Sequence, residues 1–151
     1  MTPREPENGC LFCRIADGRV PAERVYADDR LCAFLDIQPI RPGHTQIVPR
    51  QHFDTFELLP PDLAAEILFL GQRLAKAMKR LYGVPRVGFA FTGSDVAHVH
   101  AHLIPLHDSM DITSRAYIAE ERLTFRPPPR PDEAALAETA RLLQDALAAV
   151  G

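Results

Sequence analysis

No apolar run in the 151-residue sequence approaches the ~20 residues that a bilayer-crossing helix requires. There is no block of basic residues either: Lys and Arg number 17 against 20 Asp and Glu, a formal charge of −3. That balance argues against a dedicated nucleic-acid binder and leaves a nucleotide ligand open. Cysteine is scarce, and three is an odd count, too few for a disulfide scaffold. Residues Met1 to Gly9 are polar with charges of both signs, unlike a secretory signal, so a cytoplasmic location is expected. With 46% apolar and 25% charged residues the composition is that of a globular protein, and wholesale disorder is excluded. The length suits a single domain over 1–151.

Glycine and proline punctuate what is present. Cys10 to Asp17 reads as a short helical piece stopped by Gly18 and Pro21. Val25-Tyr26 and Leu31 to Ile37 read as strands about a turn at Asp28-Asp29-Arg30, the second apolar enough to be buried on both faces. A further strand is expected from His44 to Val48. Leu63, Ile67, Leu70, Leu74, Met78 and Leu81 recur at steps of three and four, one stripe of a long helix that Pro61 starts and Gly83 caps. Strands are expected at Val87 to Thr92 and His98 to Ile104. A loop and proline-rich arm over 107–131 follow, then a closing helix over 132–150 with Leu136, Ala140, Leu143, Leu147 and Val150 on one side. Strands in a run, one long helix and a C-terminal helix predict an α+β fold with a mainly antiparallel sheet.

The chemistry lies in the histidines. Six occur, at 44, 52, 98, 100, 102 and 107, and three fall within five residues. Strand alternation would put His98, His100 and His102 on one face and Val99, Ala101 and Leu103 on the other. A row of imidazoles buries badly unless each nitrogen finds a partner. Three readings compete. A solvated polar face is opposed by core-like flanks, and a metal held by all three is disfavoured because same-face neighbours lie ~7 Å apart. The third makes one imidazole a nucleophile, since the neutral ring attacks phosphorus. Cys10 and Cys13, spaced Cys-x-x-Cys, add a separate metal or redox signal, whereas Cys32 sits in an apolar run.

The run His98-Val-His-Ala-His-Leu-Ile104, followed by Pro105, resembles the signature of the histidine triad (HIT) family of nucleotide hydrolases and transferases. Cys10-Leu-Phe-Cys13, Val20-Pro-Ala, Asp28-Asp29, Ala33-Phe-Leu-Asp36-Ile37, Pro42-Gly-His44-Thr and Val48-Pro-Arg-Gln-His52 resemble its other landmarks, in family order over residues 10–105. The resemblance implies a HIT-like fold and a homodimer whose sheets join across the long helix and an adjacent strand. It also implies that His100 attacks the α-phosphorus of a purine nucleoside phosphoramidate or dinucleoside polyphosphate. The covalent nucleotidyl-histidine so formed would be cleaved by water. His102 would donate near the α-phosphate, with His44 beside the triad and His98 completing it. Asp36 would accept from the ribose hydroxyls, and Val20, Phe34 and Ile37 would hold the base. Cys10, Cys13, His52 and His98 would bind a structural Zn²⁺. His107 matches no role in the family, and neither nucleic acid nor membrane is implied as a partner.

One stretch departs from the family pattern. Many members carry Gly-Gln-Ser or Gly-Gln-Thr before the triad, after an Asn-containing turn. Here Phe91-Thr-Gly-Ser-Asp-Val-Ala97 is shorter, has no Gln and sets Phe91 where Asn is expected. Ser94 or Thr92 would offer the phosphate a hydroxyl, while Asp95 would repel it unless protonated or paired. The alternative to an enzyme is therefore a nucleotide sensor or adaptor of the same fold with little or no turnover.

Overall fold

In the computed structural model, which describes residues 9–92, 95–112 and 127–150, the chain runs through one five-stranded antiparallel sheet and three α-helices. The helices are α1 (Leu11–Ala16), α2 (Pro61–Tyr82) and α3 (Glu133–Ala148). The strands are β1 (Arg24–Ala27), β2 (Leu31–Leu35), β3 (Thr45–Pro49), β4 (Arg86–Phe91) and β5 (Ala101–Leu106), in the spatial order β1-β2-β3-β5-β4. A 3₁₀ turn, Phe56–Leu58, precedes α2. The expected α+β class and antiparallel sheet are both present, as are the long helix and the C-terminal helix. Among the described residues, no helix is long and apolar enough to cross a membrane.

Local chemistry explains the boundaries. The Asp28 carboxylate accepts from the N–H groups of Arg30 and Leu31 at 2.8 and 2.7 Å, which closes the β1–β2 turn. Asp36 accepts from the Gln38 N–H at 2.8 Å, and this second side-chain-to-backbone turn ends β2 at Leu35 rather than at the predicted Ile37. Helix α2 begins on Pro61, whose missing N–H is no loss there, and ends on Gly83 at φ 63°, the left-handed cap. Asp132 caps α3, its carboxylate accepting from Ala135 N–H at 2.8 Å.

The sheet has two unlike faces. Ala33, Leu35, Ile47, Ala101 and Leu103 meet the α2 stripe (Leu63, Ile67, Leu70, Leu74 and Met78) and Ala140, Leu143 and Leu147 of α3 in the main core. On the opposite face α1 covers only one end, where Phe12, Ile15 and Ala16 pack on Cys32, Phe34 and Val48. Beside α1 the same face carries Gln46 of β3 opposite His102 of β5, and there the histidines gather.

The histidine strand needs a correction. It begins at Ala101, not at His98, because the β3 ladder ends at the pair Ile47–Ala101. Residues 98–100 are tied elsewhere: His98 N–H donates to the Val96 carbonyl and Val99 N–H to the Phe53 carbonyl, at 2.8 and 2.7 Å. The predicted alternation of faces survives without the ladder, since Val99, Ala101 and Leu103 all enter the main core. The predicted strand over His44 to Val48 is likewise displaced by one residue, to Thr45–Pro49. Of the loop and arm expected over 107–131, residues 113–126 lie outside the described residues.

Candidate functional site

Two constellations share the α1 face, and His98 joins them. In the first, the tautomer of each ring can be read from its neighbours, because a carbonyl oxygen only accepts and a backbone N–H only donates. His100 Nδ1 lies 2.7 Å from the His98 carbonyl, so Nδ1 carries the proton and Nε2 is left as a lone pair. Ile40 N–H donates to His44 Nδ1 at 3.2 Å, so His44 carries its proton on Nε2. That Nε2 donates to His102 Nδ1 at 2.9 Å, which leaves His102 with a proton on its own Nε2. His100 and His102 stand edge to face, ring centroids 4.9 Å apart. An acceptor nitrogen thus stands beside a donor nitrogen, as attack on a phosphorus and stabilisation of its oxygens require.

Burial supports this assignment. His44 is pushed down to about 4, first by burial and then by His102, with Asp36 pulling the other way at 3.8 Å. His102 is lowered too, by burial before His100. Both rings are therefore neutral near pH 7. The unfolded chain, with histidine near 6.5, takes up protons first as the pH falls. His44 thus contributes stability above pH 6.5 that is lost between there and about pH 4, up to about 3 kcal/mol. Urea unfolding across that window should show a shallower loss in His44→Asn than in the wild type; equal slopes would refute the assignment.

The second constellation is Cys10, Cys13, His52 and His98, whose donor atoms all lie within 4.8 Å of one another. His98 Nε2 is 2.9 Å from the Pro49 carbonyl and His52 Nε2 is 2.9 Å from the Asp54 carboxylate, so each ring donates outward and turns a bare Nδ1 inward. The two Nδ1 atoms are 3.2 Å apart, and His98 Nδ1 lies 3.4 Å from both sulfurs. Cys13 Sγ is 3.3 Å from His52 Nδ1. Two lone pairs at that distance repel unless a cation lies between them. A proton on His98 is opposed, since burial pushes that ring down to about 4. Burial and the adjacent Cys10 also push the Cys13 thiol up to about 12, a penalty that a metal ion would reverse. Tetrahedral Zn²⁺ with bonds of about 2.05 Å to nitrogen and 2.3 Å to sulfur has N···N and N···S edges of about 3.3 and 3.6 Å. The donor set fits the ion. Asp36, His44 and His102 form another close group, but there the 2.9 Å contact between imidazoles is a hydrogen bond.

The remaining expected residues divide. The Asp36 carboxylate is held by Gln46 Nε2 at 2.7 Å and by Gln38 N–H, at the triad end of β2. Val20 and Phe34 meet in the α1 cluster, where Phe34 packs edge-on against Phe12 and is buried; Ile37 is half exposed. Ser94 lies outside the described residues. Asp95 is exposed on a hollow beside the Cys–His cluster, whereas Thr92 lines a cleft with His100. His100 reaches that cleft by one edge only, being 3% exposed. His107 is exposed, its ring 6.3 Å from that of Tyr82. Three contributors went unnoticed in the sequence. Phe12 sets its ring against His100 and His98, and Asp54 orients His52. Gln46 positions Asp36, and nothing in the sequence beyond a polar residue directly before the apolar pair Ile47-Val48 signals it.

Known proteins resemble this chain in sequence and in fold. A HIT domain family model matches residues 17–109. An uncharacterized HIT-like protein of Mycobacterium tuberculosis is 33% identical over 144 residues, covering 92% of this chain and 93% of that one. An adenosine 5′-monophosphoramidase of Saccharomyces cerevisiae is 35% identical over 107 residues, 70% of this chain and 68% of its own. Among solved structures, a zinc-bound histidine triad family protein of Mycobacterium smegmatis superposes with a TM-score of 0.73 at 30% identity, covering 93% and 94% of the two chains.

Proposed function

Because the chain belongs to the histidine triad family, we propose that it hydrolyses a purine nucleoside phosphoramidate or dinucleoside polyphosphate at the α-phosphate, through a covalent nucleotidyl-histidine on His100. The observation that carries this reading is the proton pattern: a lone pair on His100 Nε2 next to an N–H on His102 Nε2. His100 forms a bond to phosphorus as the bond to the leaving group breaks. His102 donates to the oxygen on which charge builds, and His44 fixes the tautomer that makes it a donor. Water then attacks the phosphorus, the N–P bond breaks, and the nucleoside monophosphate leaves while a proton passes to solvent. Asp36, steadied by Gln46, accepts from the ribose hydroxyls; Val20 and the half-exposed Ile37 offer apolar surface for the base, with the buried Phe34 behind them. Thr92, in the shortened stretch before the triad, supplies a hydroxyl beside His100, and Ser94 and Asp95 of the same stretch are further candidates for contact with the phosphate.

Cys10, Cys13, His52 and His98 would hold Zn²⁺, which when bound ties three segments together and takes no part in the chemistry. We read residues 1–151 as one cytoplasmic domain that pairs with a second copy through α2 and the edge strand β4. Leu68, Phe69 and Phe89 are exposed there and large enough to need a cover.

An α-³²P-labelled adenosine 5′-phosphoramidate tests the reaction. Quenching in alkali, where a phosphohistidine survives, should leave label on the protein and AMP in solution. Tight AMP binding with neither label nor release would select the sensor or adaptor instead.

A further inference from the structure

The loop that joins β2 to β3, residues 36–44, folds back on His44. Asp36 N–H donates to the His44 carbonyl at 2.9 Å, His44 N–H to the Arg41 carbonyl at 3.0 Å, and Ile40 N–H to the ring at Nδ1. The last of these decides where the His44 proton sits. At 3.2 Å it is at the long end of its kind and easily lost to a small shift. What holds the loop at that distance lies 70 residues from Arg41. Arg41, next to Ile40, points Nε and Nη2 at one oxygen of Asp111, at 2.9 and 2.7 Å. The other oxygen accepts from the N–H groups of His107 and Asp108 at 2.8 and 2.9 Å, directly after β5. Four donors thus saturate one carboxylate. Its side chain is 7% exposed, and Arg41 before any other group holds it well below the usual carboxylate range. An isolated surface pair is worth little, but this one ties the loop before β3 to the end of β5.

We propose that Asp111, acting through Arg41, is a positioning residue that sets the proton pattern of His44 and His102. Its consequence for the reaction rests on the roles given above to His100 and His102. With Ile40 N–H in place, a proton on His44 Nδ1 would face another donor and is excluded. Once the loop is released, the His44 proton moves to Nδ1 and Nε2 becomes an acceptor. The 2.9 Å bond between the rings then reverses, with His102 donating from Nδ1. His102 Nε2 is left as a bare lone pair, which repels the phosphate oxygens it otherwise serves. Each ring keeps one proton, so no charge changes. Asp36, with an oxygen 3.8 Å from His44 Nε2, favours the original pattern, so a fraction of the molecules retains it. His100 is held separately by the His98 carbonyl and keeps its lone pair throughout.

Arg41→Gln tests this directly, since it cuts the tie while leaving Asp111 its two backbone donors. Asp111→Asn cuts it from the other side. The Arg41 side chain is partly exposed, so folding should survive its replacement, with melting curves as the control. Long-range ¹H–¹⁵N spectra of the histidine rings near pH 7 read the tautomers without substrate. Wild-type His44 and His102 should both carry the proton on Nε2, and both variants should show a mixture in which Nδ1–H dominates. If a tenth of the molecules keep the donor form, kcat for adenosine 5′-phosphoramidate falls about tenfold while KM changes only a few-fold. Arg41→Lys, which keeps the charge, should recover part of both the spectrum and the rate. A loss of rate or stability with both rings still protonated at Nε2 would make the pair a plain brace and overturn the proposal. A tautomer change without loss of rate would overturn it too. If the wild type neither cleaves the substrate nor forms an adduct, the nucleophile assignment fails, and the spectra still decide whether Asp111 sets the protons.

Discussion

His100→Asn is expected to lower release of nucleoside monophosphate by roughly 10³-fold or more, while AMP still binds within a few-fold of the wild-type affinity. Asparagine suits the test because its amide N–H can keep the bond that His100 Nδ1 makes to the His98 carbonyl. The backbone at the start of β5 then stays in place while the lone pair at Nε2 is removed. His102→Asn should cost less, about 10²–10³-fold, because it removes a donor and leaves the nucleophile. Steady-state rates and calorimetric AMP titration on the same preparations separate the two effects. Wild-type turnover in His100→Asn would end the nucleophile assignment, whatever the behaviour of His102.

Much of the scaffold was legible because it obeys local rules. The α2 stripe, its proline start and its glycine cap are all chain-local signals, and they recur unchanged in the fold. The start of β5 was not legible. Whether residues 98–100 join a ladder depends on bonds to Val96 and Phe53, and the periodicity of His-x-His-x-His is the same with or without them. The site follows the same division. Imidazoles crowded near β5 were plain, and the resemblance supplied the partners His44 and His52. The proton on His102, however, follows from Ile40 N–H acting through His44, which requires β3 beside β5. Ile37 shows the limit of pattern: it follows an apolar strand, but the turn at Asp36 puts it outside. Gln46 and Asp54 act by orienting Asp36 and His52, roles that no motif spacing encodes.

Removing the metal should have the largest effect on stability, and activity should fall with it. Cys10 and Cys13 stand at the start of α1, His52 follows β3 and His98 precedes β5, so one ion would close loops of 39 and 85 residues from Cys13. Without it, two imidazole lone pairs face each other at 3.2 Å among buried thiols, and the cluster must loosen or take up protons. Chelation, or Cys13→Ser, is expected to cost about 4 kcal/mol and lower the melting temperature by ~10 °C, with zinc falling from one ion per chain to a small fraction. His98 carries the damage to the reaction: its ring belongs to the cluster, and its carbonyl holds the Nδ1 proton of His100. Turnover should therefore drop in the metal-depleted protein and return on adding Zn²⁺, with AMP affinity changing less than kcat. An unchanged melting curve after depletion would remove the structural ion from the account. Full zinc content in Cys13→Ser would instead place the metal on the histidine row, where it would occupy the lone pair that the proposed nucleophile needs.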